Sequence, residues 1–150
     1  MRTLILIIIV SALFSPTTVF AASPFASAAS DAMAKRFASD PAKATVYVYR
    51  DQRFLGSQAV LPVIVDGRIA GTTAPRSYFM WRLEPGRHTI SSLTPENEAI
   101  IELTAQAGKI YFIRQKARFG VNNPGVSLQQ TSAEKGRAAV LKCQRLKSAI

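Results

Sequence analysis

Most of the chain after residue 44 consists of short runs in which hydrophobic and polar residues alternate, separated by Gly, Pro and Asn. In one such run Phe79, Trp81 and Leu83 fall on one face of a strand, because side chains alternate with a period of two. The residues between them fall on the opposite face. The pattern predicts eight strands, over residues 45–50, 58–65, 68–72, 77–83, 88–93, 98–104, 109–116 and 126–130.

Two tight turns stand out between these strands. Asp66-Gly67 separates two apolar runs and is typical of a two-residue hairpin turn, in which Gly67 takes a positive φ without a steric clash. In the second turn Pro85 fixes φ and Gly86 supplies the left-handed residue, so residues 84–87 fit a type II turn. All four turn residues therefore have a structural reason to be there.

The pattern becomes helical near the C-terminus. Thr131 and Glu134 form a capping box, which predicts a helix from about Ser132 to Leu146. Apolar residues recur along one face of it at spacings of four, three and four, namely at Ala139, Cys143, Leu146 and Ile150. The predicted fold is mainly β, a small antiparallel β-sandwich of seven or eight strands with the C-terminal helix packed on it.

The N-terminus has the features of a secretory signal peptide. A basic start at residues 1–3 precedes an apolar run over residues 4–14, and Val19-Phe20-Ala21 places small residues where a signal peptidase needs them. Cleavage after Ala21 is the first choice, and Ala26-Ser27-Ala28 offers a second site after Ala28. An uncleaved anchor is disfavoured because Ser15-Pro16-Thr17-Thr18 ends the run early. A lipid anchor lacks the cysteine that it would need near either site.

The predicted domain organisation follows from these boundaries. Residues 1–21 form the signal peptide, residues 22–43 an Ala/Ser-rich linker with one short helix near Asp31 to Phe37, and residues 44–150 the β-sandwich with its helix. The expected location is the periplasm or the exterior of the cell.

The order of the turn and strand motifs carries a family resemblance. Val63-Ile64-Val65-Asp66-Gly67 and Leu83-Glu84-Pro85-Gly86-Arg87-His88-Thr89-Ile90 look like the small all-β modules of the PEGA type. Together with residues 46–50, 108–115 and the C-terminal helix, the region from Ala44 to Leu146 resembles the bacterial family known as domain of unknown function 2846. The resemblance implies a sandwich of immunoglobulin, transthyretin or PEGA type in an envelope setting, and no established activity.

Candidate catalytic chemistry is scarce. The chain has one histidine, His88, which directly follows a turn, and one cysteine, Cys143, for which a buried packing role is favoured over a reactive one. On a strand Glu98 and Glu102 would lie about 13 Å apart, too far for a paired-carboxylate mechanism. The motifs predict no metal site and no cofactor.

Positive charge is the remaining signal. Without residues 1–21 the chain keeps 18 basic and 9 acidic residues, a net charge of +9. In an exported protein such charge points to phosphate-bearing lipids, lipopolysaccharide or acidic glycans and not to nucleic acid. The candidate anion-binding surface consists of Arg82, Arg87, Lys109, Arg114, Lys116 and Arg118.

The sequence thus predicts an exported, non-catalytic binding or structural module of the bacterial cell envelope. Its expected partner is an envelope protein or an anionic envelope component. A basic binder of membrane surfaces or glycans is the alternative, since the basic C-terminal helix could lie on a membrane. A hydrolase that uses His88 or a carboxylate pair is a further alternative.

Overall fold

The computed structural model describes residues 21–51, 59–119 and 123–150. Along the chain the elements are α1 (Ala28–Ala34), β1 (Ala44–Arg50), β2 (Leu61–Val65), β3 (Arg68–Thr73), β4 (Ser77–Leu83), β5 (Gly86–Leu93), β6 (Glu98–Ala105), β7 (Ile110–Arg118), β8 (Gly125–Thr131), α2 (Ala133–Val140) and β9 (Gln144–Arg145). All eight predicted strands are present, and β9 is an additional one. Residues 1–20 of the predicted signal peptide and Gln58 of the second predicted strand lie outside the described residues.

The described strands form two sheets that face each other. One sheet has five strands in the order β8-β7-β1-β4-β9, and the other has four in the order β3-β2-β5-β6. The pairing is antiparallel except between β1 and β7 and between β4 and β9. The mainly β fold with a C-terminal helix is therefore confirmed.

Strand β1 lies at the centre of the five-stranded sheet and is buried along its whole length. Val46 and Val48 point into the core between the sheets, where they pack with Phe79 and Ile113. Tyr47 and Tyr49 of β1 pack in a second cluster on the opposite face of the same sheet. Both faces of this sheet are thus covered.

The two predicted turns differ in what they connect. Asp66 and Gly67 both have positive φ, 49° and 75°, as a two-residue hairpin turn requires, and they join the paired strands β2 and β3. Pro85 and Gly86 instead lead from β4 in one sheet to β5 in the other. This second turn is therefore a corner between the sheets, and Gly86 has a φ of 141° there.

The C-terminal helix is shorter than the sequence pattern predicts. Helix α2 ends at Val140, and the chain then turns and continues as β9 beside β4. The Gln144 amide donates to the Arg76 carbonyl at 2.9 Å, and the Leu146 amide donates to the Tyr78 carbonyl at 2.8 Å. These interstrand hydrogen bonds replace those that a longer helix would make, so the predicted boundary at Leu146 is wrong.

The Ala/Ser-rich segment, predicted to be a linker, packs on the sheet. Within it α1 lies against the outer face of the five-stranded sheet, somewhat before the predicted position of the short helix. The Tyr47 hydroxyl donates to the Ala34 carbonyl at 2.6 Å, and the Tyr78 hydroxyl donates to Asp31 Oδ1 at 2.9 Å. Buried hydroxyls need acceptors, and α1 supplies them.

A polar network joins the two sheets inside the core. Gln115, fully buried on β7, accepts a hydrogen bond from the Thr73 hydroxyl at 2.5 Å. Its amide nitrogen donates to Ser92 Oγ at 2.8 Å and to the Pro62 carbonyl at 3.2 Å. One side chain of the five-stranded sheet thereby contacts three strands of the other sheet and fixes how the sheets align.

We expect Gln115→Ala to lower the free energy of unfolding by about 2–4 kcal/mol, because it opens a cavity and removes the buried hydrogen bonds that join Gln115 to the other sheet. Gln130→Ala, an exposed glutamine on the neighbouring strand β8, is the matched control and should change stability by less than about 0.5 kcal/mol. Urea unfolding of both variants measures the difference. Equal effects of the two substitutions would contradict the role given to Gln115.

Candidate functional site

The predicted anion-binding surface is not continuous. Arg114, Lys116 and Arg118 alternate along β7 and project from the outer face of the five-stranded sheet, as predicted. Arg82 lies on the same sheet but near the opposite end, level with the first residue of β7, and contacts Asp40 at 3.5 Å.

The other two predicted residues lie elsewhere. Lys109 is exposed just before β7, at the end of the sheet where Arg82 lies. Arg87 lies on β5 in the four-stranded sheet and pairs with Glu102 at 3.1 Å. The six residues therefore occupy three separate places. Arg82 lines a pocket with Arg68 and Arg145, and Arg114 lines a different pocket with three other basic side chains.

That pocket, the basic groove, has a volume of about 510 Å³ and lies between α2 and the outer face of the five-stranded sheet. It is lined by Tyr49, Asp51, Arg76, Arg114, Thr131, Lys135, Ala138, Ala139, Lys142 and Cys143.

Strand register brings the sheet residues of the groove together. Tyr49 on β1 is directly opposite Arg114 on β7, and Arg50 is opposite Ser77, the residue after Arg76. Arg76 itself has a φ of 56° in the connection between β3 and β4. Strands β1 and β7 and the connection before β4 thus place one tyrosine and two arginines at the same end of the sheet.

Helix α2 supplies the other wall and is held close to the sheet by a glycine. A Cβ at Gly136 would lie 2.2 Å from Phe112 Cγ, so only glycine permits this approach. Val140, one turn further on, is fully buried. With this face docked, Lys135, Lys142 and the alanines between them line the groove.

The charges in the groove are unbalanced. Among the described residues its lining includes four basic side chains and a single carboxylate. That carboxylate, Asp51, accepts a hydrogen bond from Arg114 Nε at 2.8 Å, and both side chains are about 28–29% exposed. Arg76, Lys135 and Lys142 have no carboxylate partner among the described residues, so the groove carries excess positive charge.

The floor of the groove is neutral. The Tyr49 hydroxyl lies 3.2 Å from Thr131 Oγ1, and burial raises the pKa of Tyr49. Cys143 is 2% exposed, and its thiol donates to the Arg50 carbonyl at 3.7 Å. Burial raises the pKa of Cys143 to about 12, so the sulfur stays a protonated thiol. The buried packing role predicted for Cys143 agrees with its position, although it follows α2 instead of lying on it.

The single histidine is occupied by structural contacts. His88 Nδ1 lies 2.7 Å from Asp66 Oδ2, and His88 Nε2 lies 2.7 Å from the Glu84 carbonyl oxygen. Both partners are acceptors, so the ring makes both hydrogen bonds at once only in its imidazolium form. His88 thereby ties the hairpin turn at Asp66 to the corner at Glu84.

The carboxylates weighed as a catalytic pair are on the surface. Glu98 and Glu102 are both exposed on β6, and Glu102 pairs with Arg87. Residues 21–51, 59–119 and 123–150 contain no group of three or more His, Cys, Asp or Glu side chains that could hold a metal ion. Within the same residues, neither helix is long and apolar enough to cross a membrane.

Comparison with known proteins identifies the family. Residues 40–127 match the family described as "Protein of unknown function (DUF2846)". The chain belongs to this family. An uncharacterized protein of Haemophilus influenzae is 33% identical over 120 residues, which cover 79% of this chain and 71% of that protein. No solved structure matches the chain.

The region matched to DUF2846 includes one wall of the groove. Tyr49, Asp51, Arg76 and Arg114 fall inside residues 40–127, and α2 lies beyond them. The family match therefore covers these four residues of the groove and excludes Thr131 of β8 and the helix side.

The anion-binding surface predicted from the sequence lacks three basic residues of the groove, Arg76, Lys135 and Lys142. Lys135 and Lys142 are recognisable as part of a basic helix, but the sequence does not show which strand end they face. Arg76 lies in a short connection without a motif, and only the pairing of β4 with β1 places it beside the groove. Of the six predicted residues Arg114 alone was found in this pocket.

We expect Cys143 in the folded protein to resist alkylation by iodoacetamide at mildly alkaline pH, because its sulfur is buried and protonated. The same reagent should modify it fully once guanidinium has unfolded the chain. Intact mass before and after treatment measures the modification. Rapid alkylation of the folded protein would show that the thiol is accessible.

The contacts of His88 predict a pH dependence of stability. Burial opposes the charged form, but the hydrogen bonds to Asp66 and to the Glu84 carbonyl outweigh it and raise the pKa of His88 above 6.5. Burial alone would raise the pKa of Asp66, but the hydrogen bonds from His88 and the Thr89 amide lower it below 3.8. The contribution of His88 is complete below its unfolded pKa and is lost as pH rises through the folded one. The contribution of Asp66 is lost as pH falls through its own lowered pKa.

A proton NMR titration of the one imidazole should therefore give a pKa above 6.5 in the wild type and a lower value in Asp66→Asn. The stability difference between the wild type and His88→Ala should be larger at mildly acidic than at alkaline pH. A wild-type pKa at or below 6.5 would rule out the doubly donating ring.

Proposed function

We propose that this protein is an exported, non-catalytic binding module of the bacterial cell envelope, in the periplasm or outside the cell, and that the basic groove binds a phosphate group of an envelope component. The observation that carries the proposal is the convergence of Arg76, Arg114, Lys135 and Lys142 on one groove that contains a single carboxylate. Export rests on the signal-peptide pattern of the N-terminus.

The composition of the groove favours phosphate chemistry. An arginine presents a planar fork of donors that matches two phosphate oxygens, and a lysine adds a mobile point charge. Arg114 is already held by Asp51, so it contributes a fixed charge, whereas Arg76, Lys135 and Lys142 can turn toward a ligand. A phosphate that replaces solvent here would be close to four positive charges.

The position of α2 argues against a helix that lies on the membrane. Its buried residues, Gly136 and Val140, pack against the sheet and are not available to lipid. An anionic surface would therefore meet the groove and its lysines and not an apolar helix face. This arrangement favours binding of charged groups in the groove over insertion of α2 into a membrane.

The lack of catalysis is also part of the proposal. His88 uses both ring nitrogens in contacts between turns, Cys143 is a buried thiol, and the exposed carboxylates of β6 are not paired with each other. None of these groups lies free beside the basic groove as a nucleophile or a general base.

The direct test is binding to vesicles of phosphatidylglycerol and phosphatidylcholine, compared with phosphatidylcholine alone, and to lipopolysaccharide in a separate experiment. We expect association with one of the two phosphate-bearing ligands and a loss of binding as salt rises. The double variant Arg76→Gln with Lys142→Gln should weaken binding by about a hundredfold or more, because charged hydrogen bonds contribute on the order of 1.5–3 kcal/mol each and about 1.4 kcal/mol corresponds to a tenfold change.

The matched control is Arg87→Gln with Lys109→Gln, which removes the same charge far from the groove. It should leave binding close to the wild-type value. Equal losses in both double variants would mean that net charge acts without a site. Binding to neither ligand, or binding that salt does not change, would refute the phosphate proposal and leave an envelope protein as the partner.

A further inference from the structure

The open side of the sandwich is closed by residues 21–27, which we call the seam segment. It lies between β3, at the edge of the four-stranded sheet, and the C-terminal residues that follow β9. On one side the Thr72 amide donates to Ser23 Oγ at 2.9 Å, and the Ser23 amide donates to the Thr72 carbonyl at 3.2 Å. The seam segment is thus paired with the four-stranded sheet.

The same segment is also bonded to the C-terminal part of the other sheet. The Ala26 amide donates to the Arg145 carbonyl at 2.9 Å, and the Lys147 amide donates to the Pro24 carbonyl at 2.8 Å. Phe25 forms an antiparallel bridge with Leu146, a core residue. Residues 21–27 therefore bond to both sheets along an edge that would otherwise expose unpaired backbone groups.

Packing under the seam segment is tight. Gly71 has a φ of 148°, and a Cβ there would lie 2.4 Å from Ser23 Oγ and 2.7 Å from Phe79 Cζ. Ser27 caps α1, since its hydroxyl accepts a hydrogen bond from the Ser30 amide at 3.2 Å. Loss of the seam segment would remove the Ser23 contact with β3 and the cap of a helix that covers the outer tyrosines.

We propose that the signal peptidase hydrolyses the peptide bond between Ala21 and Ala22, and that the second small-residue site, after Ala28, is not used. Water adds across the bond, leaving a carboxylate on Ala21 of the released peptide and an ammonium on Ala22 of the mature chain. The proposal rests on the export proposed above.

Cleavage after Ala21 and cleavage after Ala28 would leave different numbers of these hydrogen bonds in the mature protein. Cleavage after Ala21 costs one hydrogen bond, from the Thr72 hydroxyl to the Ala21 carbonyl at 2.6 Å. Cleavage after Ala28 would remove the Ser23, Pro24 and Ala26 hydrogen bonds, the Phe25 bridge and the Ser27 cap together. The first site therefore keeps residues 22–27 between the two sheets, whereas the second site removes them.

The test is to express the full chain in a bacterium, separate the periplasm, medium and membranes, and determine the N-terminal residue and intact mass of the product. We expect a chain that starts at Ala22. A start at Ala29 would overturn this inference and leave export intact. A chain that still starts at Met1 would overturn export itself, so the two failures are distinguishable.

Two matched variants give an independent measurement. Ala21→Arg and Ala28→Arg each place a large charged residue directly before one of the two candidate bonds, and both positions are exposed in the fold. Ala21→Arg should block maturation and accumulate the precursor, whereas Ala28→Arg should mature like the wild type. The opposite result would assign cleavage to the second site.

Discussion

The five-stranded sheet must be covered on both faces, and the rest of the structure depends on how this is done. Its central strand β1 is buried throughout, with aliphatic residues toward the other sheet and Tyr47 and Tyr49 toward the outside. Tyrosines bring hydroxyls that need partners wherever they are buried. The two ends of the chain provide the cover: α1 accepts hydrogen bonds from Tyr47 and Tyr78, and α2 packs on Phe112.

The basic groove is a consequence of this cover. Helix α2 reaches over β7 and leaves space above Tyr49 because it ends at Val140 and the chain returns to the sheet as β9. The short helix therefore does two things: its glycine allows close docking, and it places Lys135, with Lys142 just beyond its end, opposite the arginines of the sheet. A longer helix in place of β9 would lack the pairing with Arg76 and Tyr78 that fixes this end of the sheet.

Positive charge in this protein has several physical uses, which is why a count of basic residues does not locate a site. Arg145 donates to Ser30 and so helps hold α1, and Arg137 lies 5.5 Å from the ring centroid of Phe37. Lys35, at the C-terminal cap of α1, pairs with Asp31. In the described lining of the groove, four basic side chains accompany one carboxylate, and this imbalance connects the fold to the proposed ligand.

The sequence by itself determined the elements whose causes are local. Alternation specified the strands, Asp66-Gly67 specified a hairpin, and the sandwich with a terminal helix followed from these. Tertiary structure decided the features that depend on residues distant in the sequence. These are the parallel pairing of β1 with β7, the end of α2, the packing of residues 21–43 and the presence of Arg76 and Lys142 in one groove. Alternation tells which face a side chain occupies but not which strand lies beside it. Only interstrand hydrogen bonds and burial choose among the possible neighbours.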